Sequence, residues 1–321
     1  MTESTRIIFE KYEIRKTKRQ KTAFIDHVMG FADSLGYEAH VEKGEFGARN
    51  IIVGDPASAK AVFTAHYDTC PRLPFPNLIT PRNIFLYILY QIVITIAIFA
   101  VPIIIGVLLY TLLTSLGVNE EIADLISDKI IAPLILIECL LIMFGPANKH
   151  TANDNTSGVT LLLDIMTDLP IEDRGAVAFI FFDLEEVGLI GSSSYGGKHK
   201  ADMKTKLVIN FDCVSDGKTF LFALNKKAEA KRSLLESAYA PEGEYECEFH
   251  SKGVIYPSDQ MSFPLGVGVS ALLRTKKGLL YMNKIHTPKD TVYDEANVLF
   301  LKERSIKLAK MLSEEEPAEV E

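Results

Sequence analysis

With 321 residues, 48% of them hydrophobic, the chain can hold one large domain or two ordinary ones. Its net charge of -8 is spread over mixed acidic and basic stretches, so no basic face is offered to nucleic acid, and no zinc-finger or RNP-type pattern occurs. Cys70, Cys139, Cys213 and Cys247 lack CxxC spacing and suit reduced thiols in a cytosolic setting better than a disulfide framework.

The first residues, MTESTRIIFEKYEIRKTKRQK, are charged and contain no apolar core followed by a cleavage site, so no secretory signal peptide is expected. From 5 to 35 the apolar residues Ile8, Tyr12, Phe24, Val28, Phe31 and Leu35 recur mostly at three- and four-residue steps. That spacing predicts one or two amphipathic helices, ended by Gly36. KAVFTA (60–65), AVAFIFFD (176–183) and KLVINFD (206–212) are nearly continuous apolar runs, as central strands covered on both faces require. GVGVSALLR (266–274) reads as a further strand. TSGVTLLLDIMTDL (156–169), with Thr156 at the N-cap, and the stretch 294–312 read as helices. Strands alternating with helices define an α/β class.

The run 83–116 carries no charge and exceeds the ~20 residues that a helix needs to cross a hydrocarbon core of about 30 Å; Pro102, near its middle, is a candidate kink. The return segment is 129–144, extended by part of 122–128. It contains Glu138, expected to be protonated or turned towards the first helix or a wet cavity. Arg82, Lys149 and His150 flank the hairpin on one side, whereas Asn119, Glu120, Glu121 and Asp124 occupy its turn. The positive-inside bias then places the rest of the chain in the cytoplasm. The competing reading is a buried helical hairpin that forms a lid or a dimer interface. The expected organisation is one catalytic domain from 1–82 and 149–312, a transmembrane two-helix hairpin at 83–148 in contact with the lipid bilayer, and an acidic, disordered tail at 313–321.

Each of the three central runs ends in polar residues: His66 and Asp68 after the first, Glu185 and Glu186 after the second, Asp212 after the third. Open α/β sheets bind ligands outside the carboxyl ends of their strands. So much negative charge calls for cations, and mixed imidazole and carboxylate donors suit zinc. Asp154, just before a helix start, could bridge two ions about 3.5–4 Å apart.

HYDT at His66, ANDNTSG at Asp154, FFDLEEVGLIGS at Glu185 and Glu186, INFD at Asp212 and IHTPKDT at His286 occur in an order that resembles the M28 zinc aminopeptidases, over most of the chain outside the hairpin. The resemblance implies a mixed, mostly parallel central sheet flanked by helices, and two Zn2+ ions. His66 and Asp212 would bind one ion, Glu186 and His286 the other, and Asp154 both. Glu185 would be the general base acting on a metal-bridging water, and Asp68 would orient the His66 imidazole. A cis peptide after Asp154 is also implied. SDQMSF (258–263) resembles the substrate-side SDH motif, with Gln260 where His is frequent. His27, His40, His199 and His250 have no partners in the pattern and read as ordinary histidines; His150 is near Asp154 but off-motif. The function expected from the resemblance is hydrolysis of the N-terminal residues of short peptides. A glutaminyl-cyclase-like transferase shares the fold and motif order, and a catalytically silent receptor or scaffold is the third reading.

Overall fold

The computed structural model of the protein describes residues 1–315. Two amphipathic helices, α1 (Glu3–Lys11) and α2 (Lys18–Ser34), open the chain. Thr17 and Gln20 form a reciprocal capping box that starts α2. Strands β1 (Ala39–Lys43), β2 (Arg49–Val53), β3 (Ala61–His66), β4 (Val177–Phe182), β5 (Leu207–Phe211), β6 (Thr219–Leu224), β7 (Glu246–His250), β8 (Gly266–Arg274) and β9 (Leu280–Tyr281) form one sheet. Its order is β1-β2-β4-β3-β5-β8-β6-β7, with β9 paired to β8. The four central strands β4, β3, β5 and β8 run parallel, and antiparallel pairs lie on either side of them.

The apolar runs became central strands because both faces are covered. Phe63, Phe179 and Phe211 point to the face packed by α1, α2, α5 (Ser157–Asp168) and α8 (Glu295–Glu314), whereas Val62, Ile180, Phe182 and Val208 point to the face packed by Tyr195 of α6 (Ile190–Lys198), Met203 and Phe263. Phe63 lies 5.9 Å from both Phe179 and Phe211 between ring centroids, so one aromatic row ties the three ligand-bearing strands together. Each such pair contributes ~1 kcal/mol beyond its burial. A short helix, α7 (Arg232–Ala238), completes the cover near β6.

Between β3 and α5 the chain leaves as α3 (Ile84–Ser115) and returns as α4 (Glu120–Phe144). α3 is continuous across Pro102, and α4 takes in the whole of 122–128. The helices meet where residues are small: a Cβ on Gly106 would stand 3.1 Å from the Ile131 side chain, and Ala123 and Ser127 are buried opposite. Small residues at the contact let the two helix backbones approach closely. Those outer faces are exposed and apolar, as at Ile96, Ile104, Leu108, Leu136 and Leu141. Among the described residues one helix, α3, is long and apolar enough to cross a membrane. The second crossing expected at 129–144 does not reach that standard, because α4 also carries Asp124, Asp128, Lys129 and Glu138.

The terminal helix runs through Glu314, one turn's edge beyond the expected start of the tail at 313; residues 316–321 of that tail lie outside the described residues. α8 is capped by Asp294, whose carboxylate accepts from Ala296 and Asn297 N–H. Thr156 does sit before α5, but makes no cap hydrogen bond from its side chain. Its hydroxyl instead accepts from the buried Arg15 guanidinium at 3.2 Å.

Candidate metal centre

His66 is the last residue of β3, Asp212 follows β5, and Glu185 and Glu186 stand three and four residues past the end of β4. Because these strands are parallel neighbours, their C-terminal ends lie side by side and the polar residues are delivered to one edge. Asp154 comes from the irregular turn Ala152–Thr156 that leads into α5, and His286 from the loop after β9. Leu184, Cys213 and His286 all hold φ near +59°, a left-handed conformation that costs a non-glycine residue ~1–3 kcal/mol and clusters at functional sites. The peptide between Asp154 and Asn155 is cis, as the resemblance implied.

Five of these side chains converge in two groups around one carboxylate, that of Asp154, and Glu185 stands beside them. His66 Nε2 lies 3.3 Å from Asp154 Oδ1 and 3.6 Å from Asp212 Oδ1. His286 Nε2 lies 2.9 Å from Asp154 Oδ2 and 3.1 Å from Glu186 Oε2. Donor atoms of His66, Asp154 and Asp212 all fall within 4.8 Å of one another, as do those of Asp154, Glu186 and His286 together with Cys70, and those of His66, Glu185 and Glu186. Glu186 Oε1 is buried and has no hydrogen-bond partner. An orphaned carboxylate oxygen facing imidazole and carboxylate donors fits a bound cation, and the mixed nitrogen and oxygen donors suit zinc.

The electrostatics carry the same signature. Burial works against a charge on His66 and His286, yet the surrounding carboxylates outweigh it and hold both imidazoles well above their ordinary range. Burial raises Asp154, but the two imidazoles win and hold it below the usual carboxylate range. Glu185 goes the other way: burial pushes it well up, only partly opposed by His66. A cation bound by these donors would favour their deprotonated forms.

A ring of hydrogen bonds fixes the donors. The Thr64 hydroxyl donates to Asn210 Oδ1, Asn210 Nδ2 donates to Ser258 Oγ at 2.9 Å, and Ser258 Oγ donates to Asp212 Oδ2 at 2.7 Å. Asn155 joins two site segments, donating to Phe211 O and accepting from the N–H groups of Gly158 and Cys213. Gly158 must be glycine, since a Cβ there would come within 2.4 Å of Phe211 O. The Asp290 carboxylate accepts from Asn153 and Asp154 N–H, and burial followed by repulsion from Asp154 pushes it up to about 8.

Asp68 meets the His66 imidazole at Nδ1, which lies 3.1 Å from the Asp68 backbone oxygen and 3.6 Å from its carboxylate. That carboxylate also accepts from Glu185 N–H (3.0 Å) and Glu186 N–H (3.3 Å), so Asp68 secures the turn that presents both glutamates. Gln260, in the stretch that resembles the SDH motif, is buried against Gly268 and donates to Tyr256 O at 2.6 Å. Its neighbour Asp259, which the pattern did not single out, is fully buried with both carboxylate oxygens unpartnered, and burial pushes it up to about 7. The other histidines stay outside the centre: His199 pairs with Glu42, His250 with Glu248, His27 stacks on Tyr12, and His40 and His150 are exposed.

The fold is α/β, with a mostly parallel central sheet and a buried imidazole and carboxylate cluster at the edge where such sheets bind ligands. Residues 141–300, just under half of the chain, match Peptidase family M28, a family that generally binds zinc. No curated protein matches by sequence. Among solved structures, Porphyromonas gingivalis glutaminyl cyclase is 15% identical over 96% of both chains with a TM-score of 0.55. The Legionella pneumophila LapA aminopeptidase is 12% identical over 97% of this chain and 70% of its own, with a TM-score of 0.56. A Bacteroides thetaiotaomicron leucine aminopeptidase precursor is 14% identical over 98% and 96%, with a TM-score of 0.55. At these identities the likeness is one of fold.

Proposed function

We propose that the protein is a membrane-tethered, two-zinc aminopeptidase that removes N-terminal residues from short peptides. The observation that carries the reading is the division of donors around Asp154, with His66 and Asp212 on the side of Oδ1 and Glu186 and His286 on the side of Oδ2. His66 and Asp212 would hold one ion, Glu186 and His286 the other, and Asp154 both. When bound, the ions would polarise the scissile carbonyl and make a water molecule more acidic. Glu185 takes the proton of the attacking water, holds it while the amide bond breaks, and gives it to the leaving amine. Asp68 keeps that carboxylate in place through the Glu185 and Glu186 N–H groups. Chelation should abolish hydrolysis of aminoacyl substrates and zinc should restore it; full activity in a metal-stripped protein would refute the reading.

A second reading is supported by the match to glutaminyl cyclase over 96% of both chains: conversion of an N-terminal glutamine to a ring with loss of ammonia. The four donors outside Asp154 favour two ions and so the peptidase.

The hairpin tethers this centre to a bilayer, crossing it twice, with the sheet on the cytoplasmic side. Support comes from the exposed apolar faces of α3 and α4, which leave a burial within the chain's own core without a partner surface, and from Arg82 and Lys149 at the root against Glu120, Glu121 and Asp124 at the tip. In cells the protein should stay with membranes through a high-salt wash and leave them only in detergent. Release by salt alone would remove the anchor from the account.

A further inference from the structure

At the root of the hairpin is a cavity of about 650 Å3 that the chemistry above leaves unused. α3 lines it with Ile98 and Val101, α4 with Glu138 and Leu141, and the chain entering the hairpin with Leu73 and Phe75. The volume is that of a small-ligand site, and the lining is apolar except for two groups. Glu138 Oε2 is shielded from solvent and has no hydrogen-bond partner, and Arg72 stands exposed at the rim.

The entering segment also reaches the candidate metal centre. Cys70 lies among the donors, and its carbonyl accepts from Asn148 N–H at 3.1 Å. Pro71 bridges Ala147, Arg72 N–H bonds Pro146 O, and Leu73 N–H bonds the carbonyl of His286 at 2.8 Å. One wall of the cavity is therefore hydrogen-bonded to the backbone of a candidate ligand.

We propose that this cavity is a subsite for the apolar residues that follow the scissile bond in a peptide substrate, with Glu138 accepting a backbone N–H and Arg72 facing a carbonyl or terminal carboxylate. The inference rests on the peptidase reading and narrows its substrate class to peptides with an apolar stretch near the amino end. Charge complementarity selects a peptide over a lipid. A peptide brings donors for Glu138 as well as acceptors for Arg72, whereas an acyl chain with an anionic headgroup satisfies Arg72 and leaves the buried Glu138 oxygen unpartnered, a costly arrangement.

The test uses the full chain with zinc, in bilayer nanodiscs, and two peptides of equal length that share an N-terminal leucine and continue with three leucines or three serines. The leucine peptide should have the higher kcat/KM by about 10–100-fold, the range expected for burying one or two apolar side chains. Val101→Trp, which fills the cavity, should bring the ratio close to one, and Glu138→Gln should lower it. A leucine peptide carrying a benzophenone side chain should crosslink to 72–75 or 138–142. Equal rates for the two peptides, or crosslinks confined to other segments, would overturn the proposal, as would native mass spectrometry showing a lipid that Val101→Trp expels. Failure to cleave even a single aminoacyl amide would instead count against the peptidase reading, and the crosslink, which needs no turnover, would still decide the subsite.

Discussion

Glu185→Gln should leave zinc content unchanged and reduce kcat by about 10²–10⁴-fold, the usual contribution of a positioned general base. The substitution keeps the size of the side chain and removes its ability to carry a proton. Glu185 lies within reach of His66 and Glu186 but in neither pair of donors around Asp154: His66 is engaged with Asp212 and Asp154, Glu186 with His286, and the Glu185 backbone is held by Asp68. Metal retention should therefore survive the change. Elemental analysis alongside single-turnover rates reads both halves of the expectation. A Gln variant with full zinc and full turnover would mean that another group moves the proton.

Asp154→Asn should have the opposite profile, losing metal first and activity as a consequence. Asparagine preserves the shape of the side chain and one acceptor oxygen, but not the negative charge that faces both imidazoles at 3.3 and 2.9 Å. Both ions depend on that carboxylate, so zinc bound after dialysis should fall from two equivalents to one or none. Activity should fall by about 10⁴-fold, since the ions' stabilisation of the transition state goes with them. Loss of a single ion with most activity intact would show that the two groups of donors work independently.

Much of this arrangement is legible in the sequence, and the reasons are specific. The runs around Phe63, Phe179 and Ile209 are apolar without alternation, which only a strand covered on both faces permits, and each is followed within four residues by an imidazole or a carboxylate. Parallel pairing then brings those endings together without further information. Five strands are not among those predicted: β1 and β7 are edge strands whose residues, such as Glu42, Lys43 and Glu246, are polar and partly exposed, whereas β2, β6 and β9 are short runs that no polar ending marks as part of the site. Asp259 and Asp290 escaped for another reason: a carboxylate in a loop reads as solvated until burial is known, and burial is a property of the folded chain. Asp290 stands inside the IHTPKDT motif and Asp259 beside Gln260, so a signal existed in both cases, but it pointed at the neighbouring residue. The second contact of Asp68, with the Glu185 and Glu186 N–H groups, is invisible at this level, because spacing from an imidazole says nothing of which loop the same side chain also reaches. The left-handed turn at Leu184, which brings the Glu185 and Glu186 N–H groups to it, has no counterpart in spacing.

The hairpin shows the limit of composition most clearly. Length and apolarity identify α3, yet α4 mixes an acidic first half with an apolar second half, and its apolar face emerges only when Gly106, Ala123 and Ser127 are seen at the contact. The cavity at the hairpin root, with its one unpartnered carboxylate, depends on three segments that are far apart in sequence.

The account turns on what the centre does to the first residue of a peptide, and a peptide beginning with glutamine separates the readings in one experiment. Incubated with the zinc-loaded protein and followed by mass spectrometry, it should yield free glutamine and a product one residue shorter, and both should disappear with chelator. A product of unchanged length that has lost ammonia would contradict the peptidase and establish the cyclising transferase in its place.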